Sequence, residues 1–268
     1  MGHIDVTKKY RTLFISDIHL GTKACQAELF LDFVKNVDAD TIYLVGDIVD
    51  FWRIKRSAHW PQSHNDVIQK LLRKARKGTR IVLIPGNHDE GLRAYCGQNF
   101  GAIELQHQAI HETADGRRFL VMHGDEFDIV VRYAKWLAFL GDSAYVFALW
   151  MNTHFNWFRR RAGLGYWSLS AYLKHKVKRA VNYIGEFETA LANEAERQDA
   201  DGVICGHIHH AAMHQIGKML YVNTGDWVES CTAVGERADG QLEIIHWLKV
   251  AETLGAHQAV HRELEAAA

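Results

Sequence analysis

Aspartate, asparagine and histidine residues gather in five short clusters along this 268-residue chain, with the letters DIH, GDIVD, GNHD, HGD and GHIH. Their oxygen and nitrogen donors include no sulfur, a set that suits Mn, Fe, Zn or Co better than Ca or a cysteine-rich structural zinc site. The side chains that we expect to bind metal are Asp17, His19, Asp47, Asn87, His123, His207 and His209.

Seven ligands are too many for one ion, whereas two ions that share one carboxylate account for all of them. Two ions about 3.5 to 4 Å apart lower the pKa of a shared water and hold both oxygens of a displacement at phosphorus. Asp17 and His19 are two residues apart, as are His207 and His209, so on extended backbone each pair would point to one side and grip one ion. The clusters therefore predict two-metal hydrolysis at phosphorus.

The clusters follow short apolar runs, whose length fits strands that are buried on both faces. Segments of helical character, such as Gln26–Asn36 and Asn65–Lys77, lie between runs and indicate an α/β layered fold. Ligands of open α/β sheets gather beyond the carboxyl ends of strands, so the clusters should share one site. The six predicted strands are Leu13–Ser16, Thr41–Val45, Ile81–Ile84, Phe119–Met122, Gly202–Cys205 and Met219–Val222.

The bulk properties limit the class of protein. A net charge of −1 and a pI near 7 argue against affinity for nucleic acid through bulk positive charge, so no nucleic-acid partner is expected. The four cysteines form no CxxC pair and no disulfide pattern, which favours a reducing compartment. Residues 1–10 contain no apolar run typical of a secretory signal or an anchor. We expect a cytoplasmic protein, and nothing in the sequence indicates its oligomeric state.

In their order, the motifs DxH (17–19), GDxxD (46–50), GNHD (86–89), HGD (123–125) and GHxH (206–209) resemble the signature of calcineurin-like metallophosphoesterases. The resemblance implies an α/β fold of four layers, in which helices flank a central β-sandwich. It also implies that Asp47 bridges two divalent ions. Each ion would have three further ligands, which are Asp17, His19 and His209 at one and Asn87, His123 and His207 at the other.

The same resemblance assigns a catalytic role to GNHD. His88 would face the substrate and stabilise charge on the phosphoryl group or protonate the leaving oxygen, with Asp89 orienting it. Alternatively, His88 only supports Asn87. Four further polar residues either orient ligand imidazoles or form turns, and these are Asp50, Asp125, Asn223 and Asp226.

The GDxxDFW stretch at 46–52 and the long insertion before GHIHH are similar to the UDP-2,3-diacylglucosamine pyrophosphatases of lipid A synthesis. That similarity implies cleavage of a UDP-2,3-diacylglucosamine-like lipid to UMP and a lipid 1-phosphate, with Mn as the favoured ion. Those enzymes carry Arg where this chain has His88, which leaves the substrate open. The alternative is a phosphatase or phosphodiesterase for a soluble nucleotide or a phosphoprotein, whereas the full ligand set disfavours a non-catalytic scaffold.

We predict a catalytic core of residues 1–126 and 198–252, a helical cap insertion of residues 127–197 and a tail of residues 253–268. The insertion is rich in aromatic and basic residues, which suits a substrate with an apolar body and an anionic head, or peripheral contact with the inner membrane surface. The alternative is a helical hairpin in which the aromatic side chains pack on one another and on the sheet, and the basic side chains lie on a solvated face. The candidate substrate contacts are Trp52, Arg53, Arg159 and Arg160.

Overall fold

The computed structural model describes residues 9–127 and 184–252 of the chain. The chain consists of two compact units. One comprises Met1–Asp125 and Ala192–Ala268, and the other comprises Glu126–Leu191. Most of the predicted cap, including Arg159 and Arg160, lies outside the described residues, as does the predicted tail. The domain boundaries drawn from the sequence stay a prediction.

The described residues form two β-sheets. The strands are β1 (Lys9–Ile15), β2 (Asp38–Val45), β3 (Arg80–Ile84), β4 (Asn99–Phe100), β5 (Ile103–Leu105), β6 (Ala109–Glu112), β7 (Arg118–Val121), β8 (Gly202–Cys205), β9 (Ala212–Ile216), β10 (Met219–Asn223), β11 (Thr232–Glu236) and β12 (Leu242–His246). The first sheet has the order β12-β11-β1-β2-β3-β5-β4 and the second has the order β6-β7-β8-β10-β9. Strands β1, β2 and β3 run parallel, and so do β7, β8 and β10, so each sheet gathers carboxyl ends at one edge.

Helices α1 (Ala27–Asn36), α2 (Phe51–Arg56) and α3 (Gln62–Arg76) belong to the first unit. In α1 the buried residues Ala27, Phe30, Phe33 and Val34 follow the three- and four-residue spacing of one helix face. Residues 184–197 and 247–252 are also helical, and Glu90–Tyr95 and Asp125–Phe127 are short 3₁₀ helices. Within the described residues, none of the helices combines the length and the apolar character needed to cross a bilayer.

Alternating side chains of the first sheet build two separate cores. Leu13 and Ile15 of β1 pack with Phe30 and Phe33 of α1, whereas Phe14 packs with residues of the second sheet such as Phe119. This alternation follows from the two-residue period of a strand, and it requires apolar residues on both faces. The layers shown by these contacts are helices, first sheet and second sheet, which confirms the predicted α/β fold with a central β-sandwich.

All six apolar runs predicted to be strands lie largely in strands, with ends shifted by a few residues. The sequence missed six others, which are β4, β5, β6, β9, β11 and β12. Most of these are short or half-exposed strands at the sides of the sheets, where polar side chains interrupt the apolar pattern. Strand β11 is buried throughout, but its sequence TAVGE contains a glycine and a glutamate, which are uncommon in the apolar runs that predict a buried strand.

That glutamate, Glu236, joins the two sheets through a buried polar network. Its carboxylate accepts hydrogen bonds from Arg11 Nη1 at 2.5 Å and from the Ala114 N–H at 2.8 Å, and it lies 2.8 Å from His111 Nε2 of β6. Burial acts to raise the pKa of Glu236, but the contacts with His111, Thr12, Ala114 and Arg11 lower it more, from 4.5 to about 2. The ionised carboxylate therefore stabilises the sandwich.

We predict that Glu236→Gln lowers the free energy of unfolding at pH 7 by about 2 kcal/mol, because the buried charged acceptor is lost. In the folded protein the pKa of Glu236 lies below its ordinary value of 4.5. The stability that the ionised carboxylate contributes is therefore complete above pH 4.5 and disappears as the pH falls towards 2. Urea denaturation of both proteins at pH 7 and at pH 3 measures the difference. In the control Glu104→Gln, which weakens a solvent-exposed ion pair with Arg80, the loss should be smaller at both pH values; equal losses in the two variants would contradict the prediction.

Candidate metal centre

The predicted ligands lie in loops that follow β1, β2, β3, β7 and β8, at the carboxyl edges of the two sheets. Backbone hydrogen bonds tie neighbouring loops together, from the Asp17 N–H to the Gly46 carbonyl at 3.0 Å and from the His19 N–H to the Asp47 carbonyl at 2.9 Å. The His207 N–H donates to Asp17 Oδ2 at 2.9 Å and so connects the loops of the two sheets. Side chains from positions 17 to 209 thus meet at one place.

Most of these ligands have left-handed backbone conformations. Seven described non-glycine residues have positive φ, and five of them are the predicted ligands Asp17, His19, Asp47, His207 and His209, with φ between 52° and 71°. The expectation that the Asp17–His19 and His207–His209 pairs lie on extended backbone is therefore wrong. Each pair follows the end of its strand. Asp17 and His19 lie in one group of possible ligands, whereas His207 and His209 lie in two different groups, so the expectation that His207 and His209 grip one ion is also wrong. Left-handed φ costs about 1–2 kcal/mol for each such residue, so the surrounding bonds must hold the loops in place.

One group of ligands consists of Asp17, His19 and His209. His209 Nε2 lies 3.2 Å from Asp17 Oδ1 and 3.3 Å from His19 Nε2, and His19 Nε2 lies 3.8 Å from Asp17 Oδ1. One ligand atom from each residue lies within 4.8 Å of the others. This spacing suits three ligands around one ion.

A second group consists of Asp47, His123 and His207, with ligand atoms that also lie within 4.8 Å of one another. Asp47 Oδ2 is 3.5 Å from His123 Nε2 and 3.8 Å from His19 Nε2, so the same oxygen faces both groups. A third group of the same spacing, His19, Asp47 and His88, overlaps the first two. The position of Asp47 between the groups is that of a shared ligand.

Hydrogen bonds leave one defined atom of each side chain facing the centre. Asp17 Oδ2 accepts from Ser16 Oγ and from the His207 N–H, which leaves Oδ1 for the centre. Asp47 Oδ1 accepts from the His88 N–H at 2.8 Å, which leaves Oδ2. His123 Nδ1 lies 2.8 Å from the Val45 carbonyl oxygen, an acceptor that places the proton on Nδ1 and leaves Nε2 to bind metal.

Asn87 is the one predicted ligand that would bind metal through an amide oxygen. Its Oδ1 atom is buried and accepts no hydrogen bond from the described residues, which is unusual for a buried amide oxygen. It directly precedes His88, whose backbone N–H binds Asp47. A divalent ion would satisfy this oxygen, so the residues present fit the metal that the sequence predicts.

Electrostatics also favour a cation here. Burial acts to raise the pKa of Asp47, but the imidazoles of His123, His88 and His19 lower it more. Burial acts to lower the pKa of His123, yet the carboxylates of Asp47 and Asp17 raise it to about 10. The field that holds a proton on a buried imidazole equally favours a divalent ion in its place.

Asp89 has different partners from the one that the sequence suggested, whereas Asp50 takes one of the two roles that the sequence left open. Asp89 accepts hydrogen bonds from the N–H groups of Gly86 at 2.6 Å and Ile48 at 2.8 Å, so it fixes the backbone of two ligand loops. The carboxylate beside His88 is Asp50, whose Oδ2 lies 2.9 Å from His88 Nδ1 and 3.3 Å from His19 Nδ1. Burial acts to raise the pKa of Asp50, but hydrogen bonds with His19 and His88 lower it more. The prediction that Asp89 orients His88 is therefore wrong.

Other polar residues that the sequence left undecided are also placed. Asp226 accepts from the N–H groups of residues 228–230 and forms a turn, and Asn223 Nδ2 donates to the Gly206 carbonyl at 2.7 Å, which fixes the loop before His207. Sequence reasoning missed Ser16 and Thr224, whose hydroxyls lie 2.6 Å apart next to Asp17. A buried serine directly before a candidate ligand was the only available signal.

The predicted substrate contacts are only partly placed. The Trp52 ring lies 4.5 Å from the His88 ring, and its side chain is 43% exposed. Arg53 is exposed on the same short helix. Trp52 therefore lies beside His88 with surface available to a substrate, and Arg53 is the exposed residue that follows it.

The comparisons with known proteins agree with this geometry. Residues 10–211 match the model of the calcineurin-like phosphoesterase family. The chain belongs to this family. It is a metal-dependent hydrolase with phosphoesterase activity, and the family implies divalent ions at the Asp and His groups described above.

Several curated proteins similar to this chain are named UDP-2,3-diacylglucosamine hydrolase. UDP-2,3-diacylglucosamine hydrolase from Photorhabdus laumondii is 26% identical over 212 residues, which cover 76% of this chain and 84% of that protein. The protein of the same name from Escherichia coli is 26% identical over 247 residues, 88% of this chain and 98% of its own length. Among solved structures, Vacuolar Protein Sorting 29 from Cryptosporidium parvum aligns with 87% of this chain and 94% of its own at 12% identity and a TM-score of 0.42, too distant to bear on function.

Glycines before the ligands are required by close packing. A Cβ atom at Gly86 would overlap the Asp47 carboxylate and the His123 ring, and one at Gly206 would overlap Ser16 and Asp17. The glycine of the GN motif therefore makes room for the ligands of two other motifs.

We predict that Gly86→Ala lowers the affinity for Mn²⁺ at least tenfold, because the new methyl group displaces Asp47 and His123. Isothermal titration with MnCl₂ measures the effect. Gly91→Ala is the matched control, since a Cβ there meets no atom within 4 Å. Unchanged binding in Gly86→Ala would contradict the packing argument.

Proposed function

We propose that the protein uses two divalent ions to cleave the pyrophosphate bond of a UDP-2,3-diacylglucosamine-like lipid, giving UMP and a lipid 1-phosphate. The observation that carries the two-ion part is the position of Asp47 Oδ2, which faces ligand groups on both sides. The substrate part is supported by the relatives named UDP-2,3-diacylglucosamine hydrolase, which match over most of the chain. We favour Mn²⁺ because a mixed set of carboxylate, amide and imidazole ligands accommodates it.

In this proposal, Asp17, His19 and His209 hold one ion, Asn87, His123 and His207 hold the other, and Asp47 binds both. When bound, a pair of divalent ions acts as a Lewis acid on the phosphoryl oxygens and lowers the pKa of a water. The side chains supply the rest of the chemistry.

His88 is the residue that we expect to act on the substrate. Its Nε2 lies 3.9 Å from Asp47 Oδ2, at the edge of the centre, and the side chain is 19% exposed. Asp50 Oδ2 lies 2.9 Å from Nδ1 and keeps a proton on that nitrogen. In the imidazolium form, the second proton, on Nε2, would stabilise the phosphoryl oxygens or reach the leaving oxygen. Asp89 contributes by fixing the loops of Asp47 and His88.

The substrate would be bound by groups around His88. The exposed face of Trp52 offers a surface for stacking, and Arg53 offers a positive charge to a phosphate. Arg159 and Arg160 remain candidates from the sequence for the same role. We propose a cytoplasmic location, with peripheral contact between the insertion and the inner membrane surface.

A soluble nucleotide or a phosphoprotein is the second candidate substrate. It is favoured by His88, since the resemblance drawn from the sequence implies an Arg at this position in lipid A pyrophosphatases. Hydrolysis by the two-ion centre would be the same with either substrate, so the two differ only in what the surrounding side chains bind.

We predict that His88→Ala lowers kcat about 10²-fold or more with both Mn²⁺ ions still bound. Asp50→Asn should lower kcat about tenfold, because His88 and His19 both lose a charged partner. Hydrolysis of bis-p-nitrophenyl phosphate and metal analysis of the same samples measure both effects. As a contrast, Asp47→Ala should lose metal and activity together; loss of metal in His88→Ala would place that residue among the ligands instead.

The substrate is tested with a panel incubated with Mn²⁺ in ¹⁸O-labelled water. The panel contains UDP-2,3-diacylglucosamine, UDP-N-acetylglucosamine, cyclic and linear nucleotides and a phosphopeptide. We predict much faster cleavage of the acylated compound, with ¹⁸O on one phosphorus of the pyrophosphate. Equal rates for acylated and unacylated UDP-sugars, or a preference for another compound, would exclude the lipid substrate and leave the two-ion centre in place.

A further inference from the structure

Two of the loops that carry ligands of the Asn87, His123 and His207 site come from different sheets. Asn87 follows β3 of the first sheet, whereas His123 follows β7 of the second. Both ligands must keep a fixed separation to serve the same ion. A contact that spans the two loops would therefore control this site.

Arg93 makes that contact. It lies in the 3₁₀ helix Glu90–Tyr95 that follows GNHD, and its side chain turns back towards both loops. Its Nη2 atom donates to both oxygens of Asp125 at 2.7 Å and to the Pro85 carbonyl oxygen at 3.3 Å. Pro85 is two residues before Asn87, and Asp125 is two residues after His123.

The environment makes this contact stronger than a surface ion pair. The Arg93 side chain is 27% exposed and that of Asp125 is 9% exposed, so solvent screens the pair incompletely. Without the guanidinium, a largely buried carboxylate beside His123 would lose its charged partner.

We propose that Arg93 is a positioning residue, which sets the separation of Asn87 and His123 and thereby the affinity of the site that they share with Asp47 and His207. The inference rests on the proposed two-ion centre. The Asp17, His19 and His209 site has its own supports, since Ser16 and the His207 N–H hold Asp17 and Asp50 contacts His19. Removal of Arg93 should therefore weaken one ion and spare the other.

The test is Mn²⁺ titration of the full chain carrying Arg93→Ala, followed by calorimetry and by the EPR signal of the coupled ion pair. We expect the weaker dissociation constant to rise about tenfold or more and the stronger one to change less than twofold. At one equivalent of Mn²⁺ the variant should resemble the wild type, and at two equivalents its coupled signal should be reduced. Arg93→Lys retains a positive charge and the N–H donors of one ammonium group, so it should restore part of the affinity.

The matched control is Arg80→Ala, which removes an arginine that bonds both oxygens of Glu104 at 2.7 Å on the exposed surface of the first sheet. It should leave both dissociation constants unchanged. A double-mutant cycle of Arg93→Ala and Asp125→Ala should be strongly non-additive for the weaker constant. Additive effects, unchanged constants in Arg93→Ala or equal weakening of both ions would overturn the proposal, whereas a wild-type chain that binds fewer than two ions would instead refute the two-ion centre.

Discussion

Two buried carboxylates, Asp17 and Asp47, lie close together at the carboxyl edges of the sheets, and the surrounding structure compensates their charge. Their mutual repulsion and their burial both act against ionisation, yet the pKa of each carboxyl is lowered. Imidazoles from four loops and backbone N–H groups from two supply the opposing field. Such a site is costly without a cation and stable with one, which is the physical basis for metal binding by this chain.

The loops that bring these groups together have strained backbone conformations. Left-handed φ at five predicted ligands is unfavourable for residues with a Cβ atom, and it persists because the loops are bonded to one another and to the sheets. The Asp89 carboxylate is one such connection between loops, since it accepts hydrogen bonds from the N–H groups of Ile48, in the loop of Asp47, and of Gly86. Stability of the sandwich, which Glu236 supports at a distance from the centre, thus maintains a strained site.

The aspartates of the centre have different roles because they have different hydrogen-bond partners. Asp17 and Asp47 each accept a backbone N–H with one oxygen and turn the other towards the centre, whereas Asp50 contacts His19 and His88. Asp125 pairs with Arg93. Four aspartates close in space therefore perform different tasks, and what distinguishes them is which donors lie within reach.

The sequence by itself determined the residue types of the centre, their order and the strands before them, because donor chemistry and apolar runs are local properties of the chain. It also identified the family through five motifs that lie in order between residues 17 and 209. Only the tertiary structure decided that the DxH and GHxH loops are left-handed, that Asp50 and not Asp89 contacts His88, and that Ser16 and Arg93 support ligand loops. These features depend on contacts between loops that are distant in sequence, and no local pattern records which donor will meet which acceptor.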